Sequence, residues 1–278
     1  MGLRKKKEKK KETKKLIEER KIKTTWYYAI KWIAVIAMII DYLPQVIGES
    51  WNDETQLTMR IIGRIAFSLF VWELVECFHH TEHKWKHFFK IGALAAISEI
   101  PFDKALRGTW SDLAHQNVCF TLLTGWLTLI CLNTDWKNLY EKAGFKKGKF
   151  FNNVFSKTTG LAFCLPLFAF AYYMKVDYTY YGVGLIILFE FARKRKHRKF
   201  WEFIIMSAYI GSRGIVMTKY YSVCYLCLIL IYLAEWDKSE KQGGKIEKIL
   251  TSKPSKYISA YFYPLHLIIL AIIAEVIK

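Results

Sequence analysis

The stretch IKWIAVIAMIIDYLP, residues 30–44, is apolar for almost its whole length and ends on an acid, a tyrosine and two further residues. It lies in a longer apolar block, Trp26–Leu43, close to the roughly 20 residues that an α-helix needs to cross a bilayer. Lys31 near its start and Asp41 near its end interrupt the block. The Asp-Tyr pair at the end of an apolar, membrane-length helix indicates a polar partner or a polar site there.

Apolar blocks of similar length recur along the 278 residues, which are 53% hydrophobic and carry a formal net charge of +18. The other blocks are Ile61–Phe78, Phe88–Ile100, Val118–Leu132, Thr158–Met174, Tyr180–Ala192, Trp201–Met217, Tyr220–Ala234 and Tyr257–Ile277. If the blocks alternate in direction, every lysine-rich loop falls on one side, as expected for cytoplasmic loops. We predict an all-α polytopic transmembrane bundle of about nine helices in the plasma membrane, with a cytoplasmic N-terminus.

The first 25 residues are rich in lysine and lack the apolar core of a secretory signal peptide. We predict a basic cytoplasmic tail over residues 1–25 that contacts anionic lipid headgroups, followed by one transmembrane domain over residues 26–278. Most of the six cysteines lie within apolar blocks, where a thiol packs as a small hydrophobe. We expect no metal site and no nucleic-acid partner.

Polar side chains from several blocks fall near the outer ends of the predicted helices. A charge at the bilayer centre costs about 2.5–3.5 kcal/mol on insertion scales, so each needs a partner or a purpose. The set is Asp41, Tyr42, Arg60, Arg64, Glu99, Asp103, His115, Gln116, Asn117 and Arg213. Because Arg60 and Arg64 share a helix face, either can pair with a carboxylate such as Asp41. Two interpretations stay open, an ion-pair network that fixes helix packing and a vestibule for a hydrophilic substrate.

A second group of ionisable residues lies deeper or toward the cytoplasm. Lys31 shares a helix face with Tyr42 and could line a passage, or it could extend to the inner headgroups. Glu76 and His80, one turn apart, suit an acid/base relay, and a zinc site with the neighbouring histidines is the alternative. His266 follows Pro264 in the last block and is either a packing hydrogen-bonder or part of a site.

The loop RKRKHRK, residues 193–199, is the densest basic segment between apolar blocks. Clustered Arg and Lys side chains suit phosphate oxygens. Arg193, Lys194 and Arg195 are therefore candidate contacts for the phosphates of a nucleotide cofactor. The alternative is that the loop reflects only the bias of basic residues toward the cytoplasmic side.

Five ordered segments resemble the TraX family of membrane acetyltransferases. They are IKWIAVIAMIIDY (30–42), RIIGRIAFSLFVWELVECFHHT (60–81), ISEIPFD (97–103), HQNVCFTLLTGW (115–126) and YFYPLHLIIL (261–270). The resemblance extends from about Trp26 to Ile272. It implies transfer of acetyl from acetyl-CoA to an amine or hydroxyl, with a peptide N-terminus or a glycan outside the cytoplasm as the acceptor.

The TraX family is distantly similar to a wider group of membrane acyltransferases. In that group the first helix carries a basic residue and, after ten intervening positions, a histidine. Here Lys31 fills the basic position and Tyr42 stands where that histidine is expected. Tyrosine, with a pKa near 10, is a poor base at neutral pH, but it can donate a hydrogen bond to an oxyanion. Three explanations stay open: the substitution inactivates the chain, another residue supplies the base, or the protein binds without catalysing. His80 and His266 are the candidate substitutes.

The resemblance implies the following roles. Asp41 orients the catalytic position, and Arg60 and Arg64 hold an acid partner or a substrate carboxylate. Glu76 with His80 moves a proton. The acceptor site is shaped by Glu99, Asp103, Gln116 and Asn117, and the donor is contacted by Lys31, Arg193, Lys194 and Arg195. The alternative function is a non-catalytic membrane binding protein or a transporter that retains the TraX-like fold.

Overall fold

The regular elements of the computed structural model are helices, and it describes residues 24–112, 114–144, 149–236 and 253–277. In chain order the helices are α1 (Thr24–Ile47), α2 (Asp53–His80), α3 (Lys84–Arg107), α4 (Val118–Asn133), α5 (Trp136–Lys142), α6 (Lys149–Tyr173), α7 (Thr179–Arg193), α8 (Arg198–Gly211), α9 (Ile215–Tyr221), α10 (Tyr225–Trp236) and α11 (Lys253–Ile277). The all-α prediction is confirmed. Most of the predicted basic tail lies outside the described residues.

Within the described ranges, two helical stretches are long and apolar enough to cross a membrane, Trp26–Ile47 in α1 and Met217–Trp236 through α9 and α10. A third is added if α4 and α5, bent by 62°, count as one span. These are fewer than the predicted nine, because charged residues recur inside other helices. In α2, for example, Arg64 and Glu73 lie within the apolar stretch. The multi-pass arrangement and the cytoplasmic N-terminus stay predictions.

Two predicted helix boundaries are wrong, the break between α8 and α9 and the end of α3. Backbone conformation explains the first of these. The predicted blocks Trp201–Met217 and Tyr220–Ala234 leave a gap at residues 218–219, but these residues are helical, and the break lies instead at residues 212–214, where Gly214 has φ +88°. A positive φ is accessible to glycine at little cost, so this residue separates α8 from α9. The block predicted to end at Ile100 is also too short, since the helix continues through Pro101 and α3 ends at Arg107.

The bundle is organised around α1 and α2, which pack against each other, with α11 against α1 and α3, and α4 against α3, α6 and α7. Gly63 allows the closest approach of α1 and α2, because a Cβ at this position would lie 2.2 Å from the Cβ of Asp41. We call the end of the bundle near His80, Lys84 and Arg198 the basic end. The other end, near Asp41 and Arg107, is the opposite end.

Candidate functional site

A cavity of about 210 Å³, the inner cavity, lies among α1, α2, α3 and α4. Its polar lining is Tyr27, Lys31, Glu73, Cys77 and His87. Lys31 Nζ is 3.5 Å from Glu73 Oε1, and the Tyr27 hydroxyl donates to the same oxygen at 3.0 Å. Cys77 Sγ lies 3.6 Å from His87 Nε2. The ammonium of Lys31 therefore faces a carboxylate inside the protein, which favours the interpretation that Lys31 lines a passage.

A smaller recess of about 20 Å³, the acidic recess, lies toward the opposite end and has room for about one small polar group. Its lining includes Asp41, Tyr42, Asp177 and Tyr178. Three apolar residues line both spaces, namely Met38, Phe70 and Val118. The inner cavity and the acidic recess therefore lie next to each other and share a wall formed by these three side chains.

Asp41 is buried at the wall of the acidic recess and lies between two guanidinium groups. Its Oδ1 is 3.4 Å from Arg60 Nη1 and 3.8 Å from Arg64 Nη2. The expected pairing of Asp41 with one of these arginines is present, and it involves both. This ion pair joins α1 to α2 beside the recess, so it fixes packing and also places charge at the cavity wall.

Tyr42 and His266 lie side by side in the buried interface of α1 and α11. Their rings stack with centroids 5.8 Å apart, and both side chains are almost fully buried. His266 Nδ1 is 3.0 Å from the carbonyl oxygen of Phe262, so Nδ1–H donates and Nε2 keeps its lone pair. Nε2 has no hydrogen-bond partner among the described residues. Of the two substitute bases, His266 is the one beside Tyr42.

Asp177 also lines the acidic recess, and no role was predicted for it from the sequence. It lies in the turn between α6 and α7, where Lys175 and Thr179 have φ of 45° and 48°. Such a conformation is costly for a β-branched residue such as Thr179. The Asp177 amide donates to the carbonyl of Gln116 at 3.0 Å, which ties the turn to the segment before α4. The only signal in the sequence is an acid in a short turn between apolar blocks.

Protein atoms packed around the carboxyl of Asp177, together with the Asp41 carboxylate, raise the pKa of Asp177 from 3.8 to about 6. The residue nevertheless keeps an exposed surface. A folded-state pKa above the unfolded value means that the folded protein binds this proton more tightly. Asp177 therefore lowers stability as the pH rises through the interval between these two values.

We expect Asp177→Asn to stabilise the protein at pH 7 by up to about 1 kcal/mol, or roughly 2–4 °C in Tm, because it removes a carboxylate that is disfavoured when ionised. Solvent access keeps the effect below the full value of the pKa shift. The advantage should shrink as the pH falls and disappear below about pH 3, where the carboxyl is protonated in both states. Thermal unfolding in detergent across this pH range measures it.

The control is Asp112→Asn in the exposed loop before α4. There the amide of Ala114 holds the pKa of Asp112 below its usual range, so this carboxylate stabilises the fold at neutral pH. Its replacement should lower Tm at pH 7. A fall in Tm for Asp177→Asn at pH 7 would contradict the placement of Asp177 beside Asp41.

The four residues predicted to shape the acceptor site hold the α3–α4 connection together. Asn117 caps α4 through the amide of Cys119, and its side chain donates to the Ala95 carbonyl at 2.9 Å and to Glu99. Asp103 accepts from the amide of Asp112 at 2.6 Å. The backbone of Gln116 bridges to Val176. None of the four lines the inner cavity or the acidic recess, and these contacts favour the packing interpretation for them.

At the basic end, Glu76 is held by two arginines. Its Oε1 lies 2.8 Å from Arg198 Nη1 and 3.3 Å from Arg193 Nε, whereas His80 Nε2 is 3.8 Å from Oε2. The carboxylate that the predicted relay would use is thus part of an ion-pair cluster, which also includes Glu202.

The other two cations of the predicted phosphate site also have contacts within the protein. Lys194 Nζ lies 2.8 Å from Glu190 Oε1 and donates to Asn133 Oδ1 at 2.9 Å. The guanidinium of Arg195 lies 4.0 Å above the ring of Phe191. The predicted donor contacts therefore occupy different environments, and their role in binding stays a prediction.

A further space of about 640 Å³ opens at the same end beside the α2–α3 turn, and we call it the basic recess. Its lining includes His83, Lys84, Trp85, Lys86, Asn133 and Thr134. For this turn, the only binding role considered from the sequence was the alternative zinc site of its histidines.

The family model described as TraX protein matches residues 27–274. The chain belongs to the TraX family. Neither the comparison with curated proteins nor that with solved structures gives a match. The match spans both ends of the bundle and every lining residue of the inner cavity and the acidic recess.

The segments that resemble TraX proteins in sequence lie around these spaces in this TraX-family chain. Residues 30–42 carry Lys31 and Asp41, and residues 60–81 carry Phe70, Glu73 and Cys77. Residues 115–126 add Val118 to both linings, and residues 261–270 add Tyr263 to the inner cavity. Four of the five resembling segments therefore contribute lining residues, whereas ISEIPFD (97–103) lines neither space.

Proposed function

We propose that this TraX-family chain is an integral membrane acetyltransferase. It moves an acetyl group from cytoplasmic acetyl-CoA, the acyl donor and a substrate, to an amine or hydroxyl at the opposite end. The acceptor is the N-terminus of a peptide or a hydroxyl of a glycan. One observation carries the proposal: the inner cavity and the acidic recess, both lined by ionisable groups, meet at Met38, Phe70 and Val118.

The donor enters from the basic end in this proposal. The inner cavity, about the volume of seven water molecules, accepts a thioester end but not a nucleotide. Its Lys31–Glu73 pair gives a polar wall to a passage that is otherwise mostly apolar. The phosphates of the donor then stay outside the cavity, at the basic end, where cations are concentrated.

The acceptor meets the thioester at the acidic recess. Its amine or hydroxyl attacks the carbonyl carbon, the new C–N or C–O bond forms, and the C–S bond breaks to release CoA. The Tyr42 hydroxyl at the recess donates to the developing oxyanion, and His266, which stacks on Tyr42 without lining the recess, is the candidate base for the acceptor proton. The Asp41–Arg60–Arg64 group holds the recess in shape.

The test is release of free CoA by the purified full chain, supplied with acetyl-CoA and either a mixture of peptide amines or a sugar. Tyr42→His is expected to raise the rate about tenfold or more, because it places an imidazole base at the recess next to Asp41. Tyr42→Phe, which keeps the ring and removes the hydroxyl, is expected to lower it about tenfold.

These measurements distinguish an acetyltransferase from a non-catalytic binding protein or transporter. A parent that neither releases CoA nor binds acetyl-CoA, with no gain in Tyr42→His, would leave the non-catalytic binding protein or transporter as the better account. Comparable rates for the parent and Tyr42→Phe would contradict the role of the Tyr42 hydroxyl while leaving the transfer reaction in place.

A further inference from the structure

We propose that the basic recess binds the adenosine 3′,5′-bisphosphate end of the acyl donor, with Lys84 and Lys86 at the phosphates and Trp85 against the base. This assigns a nucleotide site to the α2–α3 turn, away from the RKRKHRK loop. The assignment rests on the proposed function, since that function supplies the donor.

The recess has the size of a small-molecule site. Its volume of about 640 Å³ lies within the usual range of roughly 300–1,000 Å³ for ligand pockets. The inner cavity is about a third as large and the acidic recess much smaller. Of these three spaces, the basic recess is the one that accommodates a nucleotide.

The charge of the recess suits phosphates. Lys84 is held in place because its ammonium donates to the carbonyls of Phe78 and Thr81 at 2.5 and 3.4 Å. Its nitrogen also lies 3.8 Å from the centroid of the Phe78 ring, so Lys84 contributes a fixed positive charge to the recess. Lys86 is exposed at the same wall, and one acid, Glu82, also lines the recess. Lys194 donates to Asn133 at the rim, but it pairs with Glu190 and does not line the recess.

An exposed indole lies between the two lysines in the chain. Trp85 is 56% exposed, although burying such a large aromatic side chain would normally be favourable. An exposed aromatic ring beside cations is the arrangement on which nucleic-acid bases stack while their phosphates are neutralised. This combination identifies the ligand as a phosphorylated nucleotide, and distinguishes it from a simple anion.

The cations of the RKRKHRK loop are less suited to this role. Arg193 is only 8% exposed and pairs with Glu76, and the guanidinium of Arg195 lies over Phe191 and Trp201. A phosphate at these positions would compete with contacts already made inside the protein.

The recess also lies in the right place for the rest of the donor. Phe78 lines the basic recess and Cys77, its neighbour on α2, lines the inner cavity. On α3, Lys84 lines the recess and His87 lines the cavity, about one helical turn away. A donor whose nucleotide is held in the recess therefore has its thioester arm at the entrance of the inner cavity.

The probe is adenosine 3′,5′-bisphosphate itself, which carries both phosphate positions and no thioester arm. Its Kd is measured by calorimetry on the full chain in nanodiscs. Lys86→Glu is expected to weaken binding at least tenfold and Trp85→Ala about fivefold. The matched control is Lys90→Glu, one turn further along α3, exposed and outside the recess lining, with an expected change below twofold.

Two outcomes overturn the inference. One is weakening by Arg195→Glu with no effect of Lys86→Glu, which would return the nucleotide to the RKRKHRK loop. The other is a parent that does not bind the bisphosphate. CoA release separates the two proposals. If the parent releases CoA and Lys86→Glu does so at the same rate at low acetyl-CoA, only the recess assignment is contradicted. If the parent neither releases CoA nor binds acetyl-CoA, the acetyltransferase proposal is contradicted as well.

Discussion

Asp41→Asn is expected to lower kcat/KM for acetyl transfer by about 100- to 1,000-fold. The carboxylate lies at the acidic recess with guanidinium groups 3.4 and 3.8 Å away. Neutralising it leaves Arg60 and Arg64 without their counter-charge beside the reacting groups. Loss of one fixed electrostatic group in an active site commonly costs about 2.7–4 kcal/mol, which corresponds to this change in rate. CoA release from acetyl-CoA in nanodiscs measures it.

The control for Asp41→Asn is Asp53→Asn, an exposed acid at the start of α2 and at the same end of the bundle. It should keep kcat/KM within about twofold, because a solvated surface charge contributes little. Thermal unfolding of both variants separates loss of chemistry from loss of fold. Equal activities of Asp41→Asn and the parent would remove Asp41 and the acidic recess from the reaction.

Arg198→Met is expected to lower the free energy of unfolding by about 3–5 kcal/mol, the usual cost of breaking a buried ion pair by removing one partner. Arg198 is 6% exposed and contacts three carboxylates, at 2.5 Å from Glu202, 2.8 Å from Glu76 and 3.8 Å from Glu235. Without the guanidinium, Glu202 is left fully buried with no cation in contact. Unfolding by denaturant in detergent micelles measures the loss.

The control for this variant is Lys137→Met, which removes a largely exposed pair in which Nζ lies 3.9 Å from Glu141 Oε1. It should cost less than about 1 kcal/mol. Adding Glu202→Leu to Arg198→Met should recover part of the stability, since the unpaired buried charge is then gone. If Arg198→Met and Lys137→Met lower the free energy of unfolding by the same amount, the ion-pair cluster at the basic end contributes no more stability than a surface pair.

The helices could be predicted because their apolar blocks are long and their loops are basic. The pairing of Asp41 with Arg60 and Arg64 was also predictable, since two arginines four apart on one helix face present their charges together. Block ends were less predictable. Pro101 reads as a helix stop in the sequence, yet α3 continues to Arg107.

The acidic recess could be predicted only in part, because one of its acids comes from a distant turn. Asp177 reaches Asp41 through the α6–α7 turn, whose position depends on the bridge between Val176 and Gln116. No local pattern encodes that bridge. The basic recess was missed for a related reason: Lys84 and Lys86 become a wall only when α4 places Asn133 and Thr134 opposite them.

The three apolar side chains where the two spaces meet have a consequence for the energetics of the cell. A continuous file of water between the basic and opposite ends would conduct protons and ions down the transmembrane potential. The wall shared by the inner cavity and the acidic recess consists of the apolar residues Met38, Phe70 and Val118, and an apolar constriction of this kind opposes a continuous file of water by dewetting. Under the proposed function, the uncharged acetyl group is the part of the donor that would pass these three side chains, and the membrane would stay electrically sealed during the transfer.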